Sequence, residues 1–444
     1  MIYGMVLFII LLIGMSIFDL RKVKSFEDFV VAGKKQDFWP VYLSLMTSMI
    51  GASATLGVAE RVWDIGFPAF WWLGVGAIGL MAQGLFLSKK IRNLDATTLP
   101  DIAQKTVGSE AKTVISIIIA VSWVGIVGAQ IVSLTKIVQA ACGIREENKL
   151  IIIMTLVVVV YTILGGQLSV VKTDMLQAGV IFLGIIGTFL YLFMCKNDNC
   201  IEIYNNIELL NKEFSSFDLI NLLFITGGTY FLGPDIISRN IMSKDSKVAT
   251  KATLVASVTL AIIGLIITFL GMWSLYNIIE LKGENPLIYI MNSEIPTPLA
   301  ILLCIALIAT LLSSADTCLV NAATIIEHDI LKRNNVREVR LIIGIMGVCA
   351  LFVSMTKADI IDLLLGAYSV YSPGIVCPLT VAIIFYKKRN INKKIWFLAV
   401  LTGGLLGIIH SYFSIGPSFL PLLGMGISLG FSLLSVLQRP TKKC

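Results

Sequence analysis

Residues 43–57 read Leu43-Ser44-Leu45-Met46-Thr47-Ser48-Met49-Ile50-Gly51-Ala52-Ser53-Ala54-Thr55-Leu56-Gly57. The stretch lies inside an apolar run long enough to cross a bilayer, yet its middle is crowded with small and hydroxyl residues. Small residues let neighbouring helices pack closely. They also let a helix unwind and free its carbonyls for a cation. Taken alone, the stretch supports both readings. A second stretch poses the same question: Phe224-Ile225-Thr226-Gly227-Gly228-Thr229-Tyr230-Phe231-Leu232-Gly233-Pro234-Asp235. A Gly-Gly pair followed by Gly-Pro cannot sustain a regular helix, so the chain kinks or breaks there. Two interrupted spans, five spans apart, are what an inverted five-helix repeat produces.

The rest of the chain fits a membrane setting. Of 444 residues, 57% are hydrophobic and 14% charged, with a mean hydropathy of +0.87. Soluble domains carry roughly a quarter charged residues. Apolar runs of about 20 residues recur, which is the length a spanning helix needs, and short alternating strands of the barrel type do not. The expected class is an all-α polytopic membrane protein with about thirteen spans. They are 2–19, 38–60, 67–88, 113–142, 150–165, 169–195, 217–235, 249–278, 297–326, 338–356, 359–386, 395–413 and 419–437. The first run lacks a basic leader, and its positive charges (Arg21, Lys22, Lys24) follow it, so it reads as a retained helix rather than a signal peptide. With the N-terminus outside and the C-terminus cytoplasmic, the inner connections, their flanking helix ends and the tail hold 27 of the 35 Lys and Arg residues, against 8 elsewhere. Dense clusters such as Lys89-Lys90-Arg92, Lys387-Lys388-Arg389 and Lys442-Lys443 carry that bias, which sets orientation in the membrane.

This placement also explains the net charge of +7 without a nucleic-acid partner. Two histidines and eight cysteines without ligand spacing argue against a metal centre. Cys195 and Cys200 flank a polar loop that could face outside, where a disulfide could form. No polar segment is long enough for a catalytic module, and no Gly-rich phosphate loop occurs. The chain therefore reads as a single domain in the lipid bilayer. Gradient-driven transport, a channel, a sensor and an intramembrane enzyme remain. No Ser-His-Asp, metal or paired-carboxylate constellation supports the last. Compact loops and rich use of Ile, Lys and Asn point to a bacterial inner membrane.

Candidate chemistry concentrates in a few places. In the ninth span, Thr310, Ser313, Ser314 and Thr317 fall at i, i+3, i+4 and i+7, so one helix face carries four hydroxyls. They either bond back to their own helix or offer oxygen to a hard cation. Asp316 lies beside them, and a carboxylate at that depth is costly unless functional or paired. Asp174, early in the sixth span, serves as a helix cap or an ion-linked acid. Gln130 in the fourth span either links helices or touches solute. Tyr368 and Tyr371 lead into a Ser372-Pro373-Gly374 hinge. His328 and Asp329 sit at an inner helix end and read as interfacial.

Four segments together resemble the sodium/solute symporter family over roughly residues 25–385. They are Ala32-Gly33-Lys34 leading into the second span; Tyr161-Thr162-Ile163-Leu164-Gly165-Gly166 continuing to Thr173-Asp174 and Gln177; Tyr230-Phe231 with Gly233-Pro234, Arg239 and Lys244-Asp245; and Ser313-Ser314-Ala315-Asp316-Thr317 ending at His328-Asp329-Ile330. The resemblance implies a leucine-transporter-type fold. It has a first repeat over 38–195, an inverted second repeat over 217–386, an extra N-terminal helix (1–20) and two extra C-terminal helices (395–437). It implies a sodium site formed by the carbonyls of Thr47, Ile50 and Thr310 and the hydroxyls of Ser313 and Ser314, with Asp174 as a linked acid. Expected solute-lining residues are Ser53, Thr55, Gln130, Tyr230 and Tyr368. The sequence departs from its relatives at Met49, where some carry a polar residue, and at Gly233-Pro234-Asp235, where Gln-Pro-His is frequent. Ser53 and Ala54 are short where sugar carriers have longer polar side chains. The expectation is therefore sodium-coupled symport of a small organic solute, an amino acid or organic anion before a sugar, with no obligate protein partner. Proton coupling through Asp174 or Asp316, and a solute sensor that moves nothing, are the rivals.

Overall fold

The computed structural model describes residues 1–437 other than 21, 22, 24, 145, 197, 198, 357–359 and 414–418. Arg21, Lys22, Lys24, Lys442 and Lys443 lie outside the described residues, as does the side chain of Cys200. Cys195 is a free, exposed thiol. The described elements are helical throughout, beside one isolated bridge between Gln36 and Ser243. Composition forces that choice, because in hydrocarbon each backbone group must find its partner within its own segment.

Ten described helices are long and apolar enough to cross a membrane, or eleven if the bent pair Phe38–Met49 and Ser53–Ile65 forms one span. The thirteen expected from sequence differ from these at two further places. One is the N-terminal helix Ile2–Leu20, whose apolar stretch is shorter. The other is Glu147–Cys195, a run of 49 residues. Such a run would be about 73 Å long, more than twice the ~30 Å hydrocarbon core. Gly166 interrupts it with φ 65 and ψ 171, between the expected spans 150–165 and 169–195. Only glycine adopts that conformation readily. A Cβ there would also lie 2.5 Å from the Phe29 ring.

Polar side chains set the helix ends that face water. Ser215 and Asp218 cap the start of Ser216–Leu232 reciprocally, and Asp245 accepts from the N–H groups of Lys247 and Val248 at the start of Ser246–Asn277. Thr297–Ile330 and Ile360–Phe385 occupy the centre of the bundle, with 72% and 78% of their apolar windows buried. Val336–Met355 and Lys393–Ser411 are peripheral, at 39% and 33%. Outward faces carry Val121, Leu183, Leu341 and Phe352. These suit lipid, and the chain is integral to a membrane.

At one end of the bundle, Asp101, His328 and Asp329 converge closely enough to hold a metal ion. Lys112 already supplies the cation, 2.7 Å from Asp101 and 2.9 Å from Asp329. His328 Nε2 lies 3.2 Å from Asp101, and the Thr98 hydroxyl donates to Asp329 at 3.0 Å. The cluster clamps the short helix Leu99–Thr106 to the fourth span and to the end of the ninth. Burial alone would raise the Asp101 carboxyl. The bonds from His328 and Lys112 outweigh burial and hold it well below the usual carboxylate range.

Candidate functional site: the broken second span and its facing helices

The second span stops being helical after Met49. Ile50 has φ −93 and ψ 81, and the helix resumes at Ser53 after a 59° change of direction. The Ala52 N–H does not continue the ladder; it donates to Gln130 Oε1 at 2.9 Å. The Ser314 hydroxyl of the ninth span reaches across to the Ser48 carbonyl at 3.2 Å and the Thr47 carbonyl at 3.5 Å. Gly51 makes this approach sterically feasible. A Cβ there would meet Ser314 Oγ at 2.8 Å and Gln130 Nε2 at 2.9 Å.

Each hydroxyl on the ninth-span face has a distinct partner. Thr310 donates back to the Leu307 carbonyl at 2.7 Å. Ser313 donates to Asp174 Oδ1 at 2.6 Å. Ser314 engages the second span. Thr317 accepts from Arg239 at 2.6 Å. Asp174 and Arg239 are both fully buried. Ser44 donates to Asp174 Oδ2 at 2.5 Å, and the Arg239 guanidinium stands 3.5 Å from the same oxygen. Arg239 also donates to Ser44 at 3.0 Å and Ser48 at 2.9 Å. Asp316 is equally buried. Its Oδ2 has no hydrogen-bond partner among the described residues, and the nearby Tyr161 hydroxyl donates to Thr173 at 2.8 Å.

Hydrogen bonds thus join Ser314 to the Thr47 carbonyl and Ser313 to Asp174, with Ile50 at the end of the helix that carries Thr47 and Thr310 one turn before Ser313 and Ser314. The donor set suits sodium, a hard cation that prefers carbonyl and hydroxyl oxygens. Ser313 has committed its proton to Asp174, which leaves its lone pairs for an ion.

Beside the junction is a cavity of ≈ 50 Å³, small against the ~300–1,000 Å³ of typical ligand pockets. Ser53, Gln130, Tyr230 and Tyr368 line it, as does Ser314. Thr55 does not. It is fully buried, and its hydroxyl donates to the Gly51 carbonyl at 2.9 Å. Gln130 ties the fourth span to the second and lines the cavity. The seventh-span break falls at Gly233, which is extended (φ −70, ψ 142) between Ser216–Leu232 and Pro234–Met242. Tyr371 donates to the Leu232 carbonyl at 2.5 Å, and Thr229 pairs with Ser372 at 2.9 Å, so the eleventh-span hinge packs on this break.

Sequence reasoning missed three residues of the site. Arg239 served only as a landmark, although a lone arginine just past a Gly-Pro break deserved a partner. Asp235 registered only as a departure from relatives. Trp123 sits in an apolar run and gives no local signal, yet it lines the cavity and donates to Asp235.

The family model "Sodium:solute symporter family" matches residues 29–403. The sodium/glucose cotransporter of Vibrio parahaemolyticus is 28% identical over 44% of this chain, a match spanning only 36% of that relative's length. The osmoregulated proline transporter of Bacillus subtilis is 24% identical over 87% of this chain and 84% of its own. A substrate-bound, outward-open Na⁺-coupled sialic acid symporter superposes with a TM-score of 0.79 at 15% identity, covering 97% of this chain and 96% of that one. That likeness shows the leucine-transporter-type fold. These relatives are carriers and not enzymes, and the chain belongs to the sodium:solute symporter family.

Proposed function

We propose that the sodium-coupled solute symport characteristic of this family runs here through the junction of the second and ninth spans. Sodium is held by the carbonyls of Thr47, Ile50 and Thr310 and the hydroxyls of Ser313 and Ser314. Asp174 acts through Ser313: by accepting its proton, it turns the lone pairs toward the ion. Sodium takes the place of the Ser314 hydrogen bond to the Ser48 carbonyl. The observation that carries this reading is the interrupted second span, stitched by Ser314 beside a buried carboxylate. Solute occupies the adjoining cavity, against Ser53, Gln130, Tyr230 and Tyr368, and Thr55 has no direct part. The short Ser53 and Ala54 favour a small organic solute over a sugar. The repeats are 38–195 and 217–386, related by inversion, and alternating access moves one against the other. The N-terminus is outside, the C-terminus is cytoplasmic, and the membrane is a bacterial inner membrane. An inward-negative potential adds about 2.3 kcal/mol per charge per 100 mV.

One observation favours proton coupling instead: the unpartnered Oδ2 of buried Asp316 is a place for a proton. Solid-supported-membrane currents separate the two. Proteoliposomes are challenged with amino acids, organic acids and sugars in NaCl and in choline chloride, each with and without a pH jump. Sodium symport gives solute-evoked currents in NaCl alone. Currents that persist in choline chloride and follow the pH step would overturn it in favour of the proton.

A further inference from the structure

Asp235 is the least explained charge in the protein. It follows Gly233-Pro234, in the first turn of Pro234–Met242, and it lines the cavity beside the sodium junction. Its carboxylate accepts from Asn321 at 2.7 Å and from the Trp123 indole at 3.1 and 3.2 Å, with the Cys318 thiol at 3.7 Å. These donors are all neutral. The nearest cation able to act on it is Arg239, which spends its donors on Ser44, Ser48, Thr317 and Asp174. In the buried interior, then, three carboxylates (Asp174, Asp235, Asp316) surround one guanidinium, a net charge of −2 when all are ionised. Charge in a dry interior is expensive unless matched. Sodium matches one of the two beside Asp174. The other is exposed to the cavity, where solute sits.

We infer that Asp235 reads the solute, and that the solute carries an ammonium or alkylated nitrogen cation. This rests on the cavity being the solute site. Trp123, Tyr230 and Tyr368 line the same cavity. Aromatic faces attract a cation electrostatically and suit its alkyl substituents. A carboxylate among aromatic rings is therefore a matched receptor for a small amine or an amino-acid-like or betaine-like zwitterion. An organic anion without such a group meets repulsion at Asp235, and a sugar leaves the charge unanswered. The organic-anion half of the expectation drawn from sequence is thereby set aside.

The test is a thermal-shift panel on the detergent-purified full chain, in NaCl and in KCl. Ammonium-bearing probes are the common amino acids, glycine betaine and choline. The matched probes without that group are cyclopentanecarboxylate, pyruvate and glucose. At least one ammonium-bearing probe is expected to raise Tm in NaCl and none of the others. Asp235→Asn is expected to weaken that probe at least tenfold while still responding to sodium, which also reports that it folds. Asp235→Glu keeps the charge and should retain the selectivity. Stabilisation by an anion or sugar, silence from every ammonium-bearing probe, or Asp235→Asn binding as tightly as the wild type would each overturn the inference. The wild-type panel decides even if the variants fail to fold. A selective ammonium response that ignores sodium would instead sink the sodium reading and leave this one standing.

Discussion

Ser313 and Ser314 are neighbours in sequence, but the structure gives them unequal work, and that inequality can be measured. In KCl, Ser313→Ala leaves Asp174 Oδ1 without its 2.6 Å donor. A hydrogen bond to a charged group contributes about 1.5–3 kcal/mol. Ser314→Ala loses a neutral bond of 3.2 Å to the Ser48 carbonyl, a contribution of about 0.5–1.5 kcal/mol. Replacing KCl by NaCl adds a separate quantity. At a sodium concentration a hundred times its Kd, an ion that binds only the folded state adds about 2.7 kcal/mol. Tm moves by about 2–4 °C per kcal/mol for 150–250 residues, so roughly 1–2 °C here and about 3–5 °C for the sodium effect. The assay is differential scanning fluorimetry of purified wild type, both single variants and the double variant, at matched ionic strength. Ser313→Ala should melt below Ser314→Ala in KCl, both should lose most of the sodium shift, and the double variant should lose all of it. A full sodium shift in the double variant refutes the site. Ser314→Ala melting below Ser313→Ala in KCl refutes the claim that Asp174 acts through Ser313.

Two more expectations test the geometry around the junction. Gly51→Ala would place a methyl 2.8 Å from Ser314 Oγ and 2.9 Å from Gln130 Nε2. Both obstacles are side-chain ends that can swing away, so the fold should survive while the sodium shift falls by at least half; an unchanged shift would separate Gly51 from the ion. Arg239→Lys replaces a fork that holds Ser44, Ser48, Thr317 and Asp174 together by a point charge that cannot reach them all. Its cost should be about 2–4 kcal/mol, since it weakens a buried charge network without removing the charge, and a Tm in KCl equal to wild type would show that the fork is not required.

The sequence announced the fold through its exceptions to apolarity. Gly-Ala-Ser within one span and Gly-Pro within another are where the structure bends or turns extended, whereas the Gly227-Gly228 pair stays helical. The four ninth-span hydroxyls could be placed on one face from spacing alone, because the helical period fixes it. Their partners could not be read so directly. Ser313 meets Asp174 across 139 residues of chain, and nothing local specifies that pairing. Thr55 failed as a lining residue for a local reason. A threonine in a helix bonds back to the carbonyl four residues earlier, and the resumed helix after Ala52 supplies that carbonyl from Gly51. Trp123 and Asp235 were unreadable as a pair because each belongs to a different span, and only the packing of the fourth span against the seventh-span break brings indole to carboxylate.

Symport needs a structural element that both cargoes feel, and the second-span break has that position. Ser314 donates to the Ser48 carbonyl at the break and also lines the cavity. Gln130 holds the Ala52 N–H on the far side of the break and lines the same cavity. Under the proposed mechanism, an ion that gathers the Thr47 and Ile50 carbonyls with Ser314 fixes the break, and Gln130 is fixed with it. Solute then meets a wall already ordered. Whichever cargo arrives first has met that ordering cost, so each raises the affinity of the other by one common factor. A tenfold factor corresponds to about 1.4 kcal/mol. That is the scale of a single neutral hydrogen bond, so the exchange of the Ser314–Ser48 bond for an ion contact is large enough to carry the coupling without any longer-range relay.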